Sequence, residues 1–395
     1  MPFFKSKVST TNILLFDIGS SSVNGFLIGA VPGKNPEILY SARSNLRLMD
    51  ASSDKNPWRS VRGAMEEIVK NTKNAVKGAK PGRILAILSS PWFSSETRGA
   101  EVQRNLPFVI TEKILDDVID GEAQIFISKK ERDLSLSKNE LCLIESDPLA
   151  IRLNGYLVDD ARGKKAEKLE LALYVSAAKK EIIDGLNEIF HHFFGQVPIL
   201  IGTAPLILFN VLKENLNCDD GYVLVHIGGE VTELSLIRNC ILEKVETFPR
   251  GGNFIVRRIA AAFNMEIEDA ASYLRANTNG EISPNQKQFE AVLDEAGKEW
   301  YNFLFKATEK LKSDTYLPQL MMFLGGASKI SALKRAAESP ELSAFTALGK
   351  PFNVRTLTPK DLENEIFPTS LDVKDPQLTL PLLLAIAASK NAPTK

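Results

Sequence analysis

The sequence predicts an α/β protein of two lobes with mixed sheets and a small α+β insertion in the first lobe. Three observations predict it. A strand-turn-strand segment recurs half a chain later, and a strand-helix-strand stretch lies between the two copies. The composition, 44 % hydrophobic and 25 % charged over 395 residues, suits a globular chain long enough for two or three domains at ~150 residues each.

The first copy is ILLFDIGSSSVNGFLI, from Ile13 to Ile28, and the second is YVLVHIGGEVTELSLI, from Tyr222 to Ile237, 209 residues further on. Each reads as a buried apolar strand, a tight turn at Ile-Gly and a second strand. Leu15 matches Leu224, Ile18 matches Ile227, Gly19 matches Gly228, and Leu27-Ile28 match Leu236-Ile237. In the first turn, Gly19, Ser20, Ser21 and Ser22 offer successive backbone N–H groups and three hydroxyls; in the second, Gly228 and Gly229 offer unhindered N–H groups. Concave runs of backbone N–H bind phosphate without a lysine, so one loop per lobe would clamp a polyphosphate from two sides. Asp17, at a strand end, could hold a hydrated Mg²⁺, which prefers oxygen ligands and keeps its waters.

Between the copies, Arg83 to Ser89 reads as a strand, and Thr111 is set to cap an amphipathic helix running through Gly121-Glu122-Ala123. Beyond the second copy, Gly251, Gly252 and Asn253 lead into the helix FIVRRIAAAF, and the strand MMFL ends in Gly325 and Gly326, with Ser328 opening ISALKRAAE. Helix N-termini carry unpaired N–H groups and partial positive charge, which suit anionic or polar ligand groups. The stretch QKQFEAVLDEAGKEWYNFLFKATEKLK is a long amphipathic helix whose Trp300, Phe303 and Leu304 form a packing face. Leu380 to Lys390 reads as a core helix.

The scarce residues exclude other chemistries. Cys142, Cys218 and Cys240 lie far apart with no CxxC, so neither a disulfide scaffold nor a cysteine zinc site is expected, and a reducing compartment fits. Three histidines, with His191 and His192 adjacent in a helical stretch, give no HExxH motif and little basis for a Ser-His-Asp hydrolase. No G-x-x-x-x-G-K-[ST] loop occurs. A net charge of −1 gives no whole-chain bias toward nucleic acid. No apolar run reaches a membrane span, and MPFFKSKVSTTNILLFDIG is not a secretory signal, so a cytoplasmic protein without a transmembrane segment is expected. Its one candidate for direct membrane contact is MPFFKSK, where Phe3 and Phe4 stand beside Lys5 and Lys7.

With these motifs in this order, the sequence resembles the actin-like ATPase superfamily, which includes sugar kinases, heat-shock chaperones and bacterial actins. DIGSSSV resembles the first phosphate loop, HIGGEVTEL the second, PRGGNFIVRRIAAAF the glycine-rich entry to the second lobe's helix, and FLGGASKISALK the adenosine motif. The resemblance implies a two-lobe actin-like (ribonuclease H-like) ATPase fold binding ATP and Mg²⁺. The segment LNGYLVDDARGKKAEKLELALYVSAAKKEIIDGL resembles the inserted subdomain of the cell-division protein FtsA, and the pilus-assembly protein PilM shares that branch. The organisation that follows is a first lobe at 1–83, an insertion at 84–175, a return to the first lobe at 176–215, and a second lobe at 216–395 with an outer part near 248–318.

Several positions depart from the family pattern. His226 stands where the second phosphate motif has Asp, Glu230 where a third glycine is usual, and Glu233 where a second Asp is usual; Thr232 keeps its hydroxyl. Glu230 either turns to solvent or opposes phosphate. Ala204 precedes Pro205 where the family often has Glu. In EDAASYLRAN, Arg275 can carry the charge of the family's nucleoside-facing lysine, while Ser272 cannot replace its glutamate. No catalytic residue is assigned, and nucleotide binding is expected to outlast hydrolysis. The leading expectation is an FtsA-like cytoskeletal scaffold of cell division, self-associating into filaments and recruiting division proteins. A PilM-like adaptor of type IV pilus or secretion assembly is the alternative, and a sugar-type kinase is third. In either of the first two, the insertion meets membrane-associated partners, which would hold the protein at the inner face of the plasma membrane.

Overall fold

The computed structural model describes residues 11–30, 35–46, 57–76, 81–216, 218–278, 280, 285–312, 315–362 and 379–390. The MPFFKSK segment lies outside the described residues.

The chain begins with strands β1 (Thr11–Ile18), β2 (Ser22–Ala30) and β3 (Glu37–Asn45), helix α1 (Pro57–Val76) and strand β4 (Arg83–Leu88). It then builds β5 (Ser94–Val109), α2 (Glu112–Asp133), β6 (Leu141–Leu153), β7 (Tyr156–Val158) and β8 (Lys165–Lys179). Helix α3 (Lys180–Phe194), strand β9 (Ile199–Thr203) and helix α4 (Ala204–Asn215) follow. The second half holds β10 (Tyr222–Ile227), β11 (Thr232–Arg238), β12 (Ile241–Phe248), α5 (Gly252–Phe263), α6 (Ile267–Thr278), α7 (Gln286–Lys312), β13 (Leu320–Leu324), α8 (Ser331–Ala337), β14 (Asn353–Thr356) and α9 (Thr379–Lys390).

Two five-stranded sheets share one plan: β3-β2-β1-β4-β9 and β12-β11-β10-β13-β14. In each, an antiparallel hairpin is extended by parallel strands. The repeat holds in register. Ile13 pairs with Ile28 and Tyr222 with Ile237; Asp17 pairs with Asn24 and His226 with Glu233. The parallel neighbours repeat too, β4 beside β1 and β13 beside β10.

Strand alternation explains why β1 and β10 are apolar on both faces. Leu14 and Phe16 pack under α1 and α3, while Ile13 and Leu15 face α4 and α9. Leu224 faces that same middle layer, and Val223, Val225 and Ile227 pack under α5, α7 and α8. The result is five layers, with α4 and α9 sandwiched between the sheets. Trp300 and Leu304 of α7 are fully buried and Phe303 packs beside them, as expected. Helix α9 is core as expected, but it returns to the first lobe, where Arg83 donates to the Ala388 carbonyl at 2.6 Å.

A third sheet, β5-β8-β6-β7, carries α2 on one face, with Thr111 capping the Ile114 N–H. The boundary expected at residue 84 falls inside β4, which pairs with β1 in the first lobe's sheet; the third sheet opens at Ser94, and β8 continues it to Lys179. Helix α8 starts at Ser331 rather than at Ser328, because Ala327 to Ile330 forms a turn first.

The cysteines are a correction. Cys218, before β10, and Cys240, in the β11–β12 turn, form a disulfide with Cα atoms 5.0 Å apart. Their distance in sequence hid a contact that the β10–β11 hairpin creates, so a single bond exists that the spacing did not foresee, without making a disulfide scaffold. Cys142 is free.

Candidate functional site

The two turns of the repeat close in the same way. The Gly19 N–H donates to the Ser22 carbonyl at 3.0 Å and the Gly228 N–H to the Val231 carbonyl at 3.0 Å. The layered packing aims both turns at one place, where they touch. The Glu230 N–H donates to Ser20 Oγ at 3.0 Å, and a Cβ added to Gly229 would lie 2.1 Å from the Ser21 Cβ.

Asp17, at the end of β1, is buried. Its Oδ2 accepts from Asn24 Nδ2 at 2.9 Å, and its Oδ1 has no hydrogen-bond partner. Burial pushes its carboxyl up to about 6, against the pull of Asn24, Arg43 and Ser89. Its repeat-mate His226 is half-buried, and desolvation lowers its ring to about 4, so it is neutral at pH 7. Glu233, opposite it, is 2 % exposed and is pushed up to about 7 by burial; Ser90 Oγ donates to it at 2.5 Å from the first lobe.

The glycine-rich entry to α5 folds back on the second turn. The Gly252 N–H donates to the Gly228 carbonyl at 2.8 Å and the Asn253 N–H to the Gly229 carbonyl at 2.9 Å. A Cβ on Gly251 would meet those two carbonyl oxygens at 2.4 Å, so this position admits only glycine. Thr232 donates its hydroxyl to the Arg250 carbonyl at 2.7 Å and accepts from the Trp300 indole at 3.3 Å, which commits it to the loop's own architecture. Glu230 neither points freely to solvent nor stands bare before a phosphate. It takes a two-pronged pair from Arg257 at 2.9 and 2.7 Å, and Asn253 Nδ2 donates to it at 2.8 Å.

Gly325 closes the site from β13, with φ +100 and a would-be Cβ 2.4 Å from the Ile227 carbonyl; Gly326 beside it is exposed. The Ser328 hydroxyl is buried without a partner. Arg275 stands exposed on α6. The structure thus gathers Asp17, Gly19 to Ser22, Gly228, Gly229, Thr232, Gly251 to Asn253 and Gly325 around the meeting point of the turns.

Sequence reasoning missed two features. Glu145, on β6, reaches the start of α4, accepting from the Thr203 N–H at 3.0 Å and from the Thr203 and Ser176 hydroxyls at 2.6 Å each. Burial pushes it up to about 7, and Tyr174 shares Thr203 at 2.9 Å. Only an acid after the apolar start of the strand (LCLIES) signals it. The second is an open cleft of about 360 Å³ between the first lobe and the third sheet, lined by the aromatic and apolar side chains of Trp58, Pro91, Trp92, Phe93, Leu134, Leu141 and Ile182 and by the charged Lys179 and Glu181. The aromatic run PWF was its signal.

The donor set fits ATP and Mg²⁺ in part. The orphaned Asp17 Oδ1 suits a hydrated cation. Around the second turn, however, the helix amides, the Asn253 amide and the Arg257 guanidinium already have partners. Among the described residues no group of three or more His, Cys, Asp or Glu is gathered to hold a metal unaided.

No protein-family model and no curated protein matches the sequence. Solved structures do. The structure titled "PilM-PilN type IV pilus biogenesis complex" matches with a TM-score of 0.65 at 18 % identity, over 96 % of this chain and 99 % of that one. The chain has the actin-like ATPase fold. The ethanolamine utilization protein EutJ from Carboxydothermus hydrogenoformans matches at 0.47 and 12 % identity, over 94 % and 88 % of the two chains. The MamK double helical filament matches at 0.47 and 12 %, over 97 % and 100 %. Among the described residues of this actin-like chain, no helix is long and apolar enough to cross a membrane.

Proposed function

We propose that the chain is an actin-like adaptor that captures a short segment of a membrane-associated partner in type IV pilus or secretion assembly, with a nucleotide site of weak or absent turnover. The observation that carries this reading is the aromatic cavity between the first lobe and the third sheet. Its volume accommodates a few apolar side chains of an entering peptide, and Lys179 and Glu181 can pair with charges beside them. The similar structure holds PilM together with PilN, which supports the adaptor over an FtsA-like division scaffold. The scaffold reading retains the NGYLVDD resemblance and, with it, filament formation. No aspartate of the sequence stands in a motif that matches a kinase's acceptor-activating acid.

Peptides matching the cytoplasmic tails of membrane proteins encoded beside this gene, of pilus and of division type, titrated onto the full chain by tryptophan fluorescence, test it. A pilus-type tail should bind, and Ile182→Glu should weaken that binding at least tenfold. Binding of division-type tails alone would transfer the protein to the scaffold reading. Binding indifferent to Ile182→Glu would overturn the pocket.

A further inference from the structure

We propose that the aromatic cavity and the first phosphate loop are one linked unit, joined by Trp92, so that filling the cavity strengthens anion binding at the loop. This rests on the adaptor reading for what fills the cavity. The Trp92 ring lines the cavity, edge-on to Trp58 at 5.8 Å between centroids, while its indole N–H donates to the Gly19 carbonyl at 2.8 Å. One side chain therefore faces both sites.

The hydrogen bond acts on a definite peptide group. In a planar trans peptide the carbonyl and the following N–H point in opposite directions. Pinning the Gly19 carbonyl on Trp92 therefore turns the Ser20 N–H away from Trp92. The Gly19 N–H is already closed on the Ser22 carbonyl at 3.0 Å, so both peptides flanking Gly19 are fixed. Trp92 is a positioning residue for the loop, and it does not itself touch the anion.

The segment around Trp92 is anchored at both lobes. The Trp92 N–H donates to the Ser89 carbonyl at 3.1 Å, the Ser89 N–H to the Ile18 carbonyl at 3.0 Å, and Ser90 Oγ reaches Glu233 in the second lobe. The indole, by contrast, is half-buried against open cavity. An apolar side chain seated there removes the space into which the ring could swing. It holds the rotamer that donates to Gly19. By linkage, an anion that needs this loop geometry tightens cavity binding by the same factor.

The test uses the full chain carrying ¹⁵N-labelled tryptophan, in which Trp58, Trp92 and Trp300 give three indole N–H resonances, assigned by single Trp→Phe variants. Mg·ATP and, separately, inorganic pyrophosphate are the loop probes; N-acetylphenylalaninamide is the cavity probe. Each probe should move the Trp92 indole resonance, and saturating the cavity probe should tighten Mg·ATP or pyrophosphate binding several-fold. Trp92→Phe, which leaves a smaller aromatic ring without the indole donor, should abolish that linkage, whatever it does to the affinity for the cavity probe itself. A Trp92 resonance unmoved by both loop probes, or linkage that survives Trp92→Phe, overturns the proposal. The adaptor reading fails separately, when tail-peptide binding ignores Ile182→Glu.

Discussion

Asn24 donates to Asp17 across the first hairpin at 2.9 Å, and the same cross-strand position of the second hairpin sets Glu233 opposite His226. The duplicated hairpin thus keeps its backbone while exchanging its chemistry. Where the first hairpin has an acid faced by an amide, the second has a neutral imidazole faced by an acid. Restoring aspartate at 226 alone would bury two carboxylates face to face, which raises one pKa or destabilises the fold. His226→Asp should therefore lower the melting temperature, and His226→Asp with Glu233→Asn, which copies the first hairpin, should recover it. Thermal denaturation of both variants checks this.

The buried acids set a pH dependence. Asp17, pushed from 3.8 to about 6, and Glu145 and Glu233, pushed from 4.5 to about 7, bind protons more tightly folded than unfolded. Their stabilisation is complete below the unfolded pKa values and is lost as pH rises through 6 to 7. His226, lowered from 6.5 to about 4, works the other way, losing stability as pH falls through that window. Three acids against one histidine leave a net loss on going from pH 5 to 7.5. Glu233→Gln should flatten part of that slope; the shift at this 2 %-exposed group corresponds to about 3 kcal/mol. Melting temperatures across pH 5 to 8 read the effect.

Much of the fold was legible in the sequence because the repeat is written in strand alternation and loop glycines. Ile13 to Ile28 and Tyr222 to Ile237 need only local pattern to be seen, and α7 follows from its amphipathic period. What escaped depends on distant approach. The Cys218–Cys240 bond, the Glu145 contact with Thr203 and the return of α9 to the first lobe join segments that no local pattern links. At the site, the glycines were readable, but the partners of Thr232 and Glu230 were not. Arg257 and Trp300 arrive from helices whose sequence reads as ordinary amphipathic surface and core.

Arg257 and Asn253 are held by Glu230, so removing that carboxylate frees them at the second turn. Glu230→Ala should tighten pyrophosphate or Mg·ATP binding several-fold, at a stability cost of ~1 kcal/mol because the pair is partly exposed. Arg257→Ala should not tighten it, since the carboxylate then stands unpaired. Isothermal calorimetry on the two variants, with melting curves beside it, decides.

The disulfide fixes the crossing from α4 into the second lobe to the β11–β12 turn, its cysteines standing 22 positions apart in sequence. Closing a loop of this size contributes ~3 kcal/mol in the chain-entropy account. Cys240→Ser should lower stability by about that amount. The unfolded, unreduced wild type should show one reactive thiol, from Cys142, and three after reduction. Thiol titration under denaturing conditions, with and without reductant, gives the count.

Binding should outlast hydrolysis. Asp17, with one carboxylate oxygen unpartnered, remains available to a hydrated Mg²⁺. Hydrolysis also needs an acid to orient the attacking water, and the two positions where the resemblance places one hold His226 and Ala204. His226 is neutral and desolvated, so it gives no substitute charge. Glu145 reaches the backbone and hydroxyl of Thr203, beside Ala204, and with the Ser176 hydroxyl three hydrogen bonds already take its carboxylate. Loss of a group that positions the reacting water typically costs ~10²–10⁴-fold in rate. Wild-type phosphate release from Mg·ATP should therefore lie near background, and Asp17→Ala should weaken Mg·ATP binding without a measurable further fall in turnover. Brisk release by the wild type that Asp17→Ala abolishes would place a working acid in this site and refute the expectation.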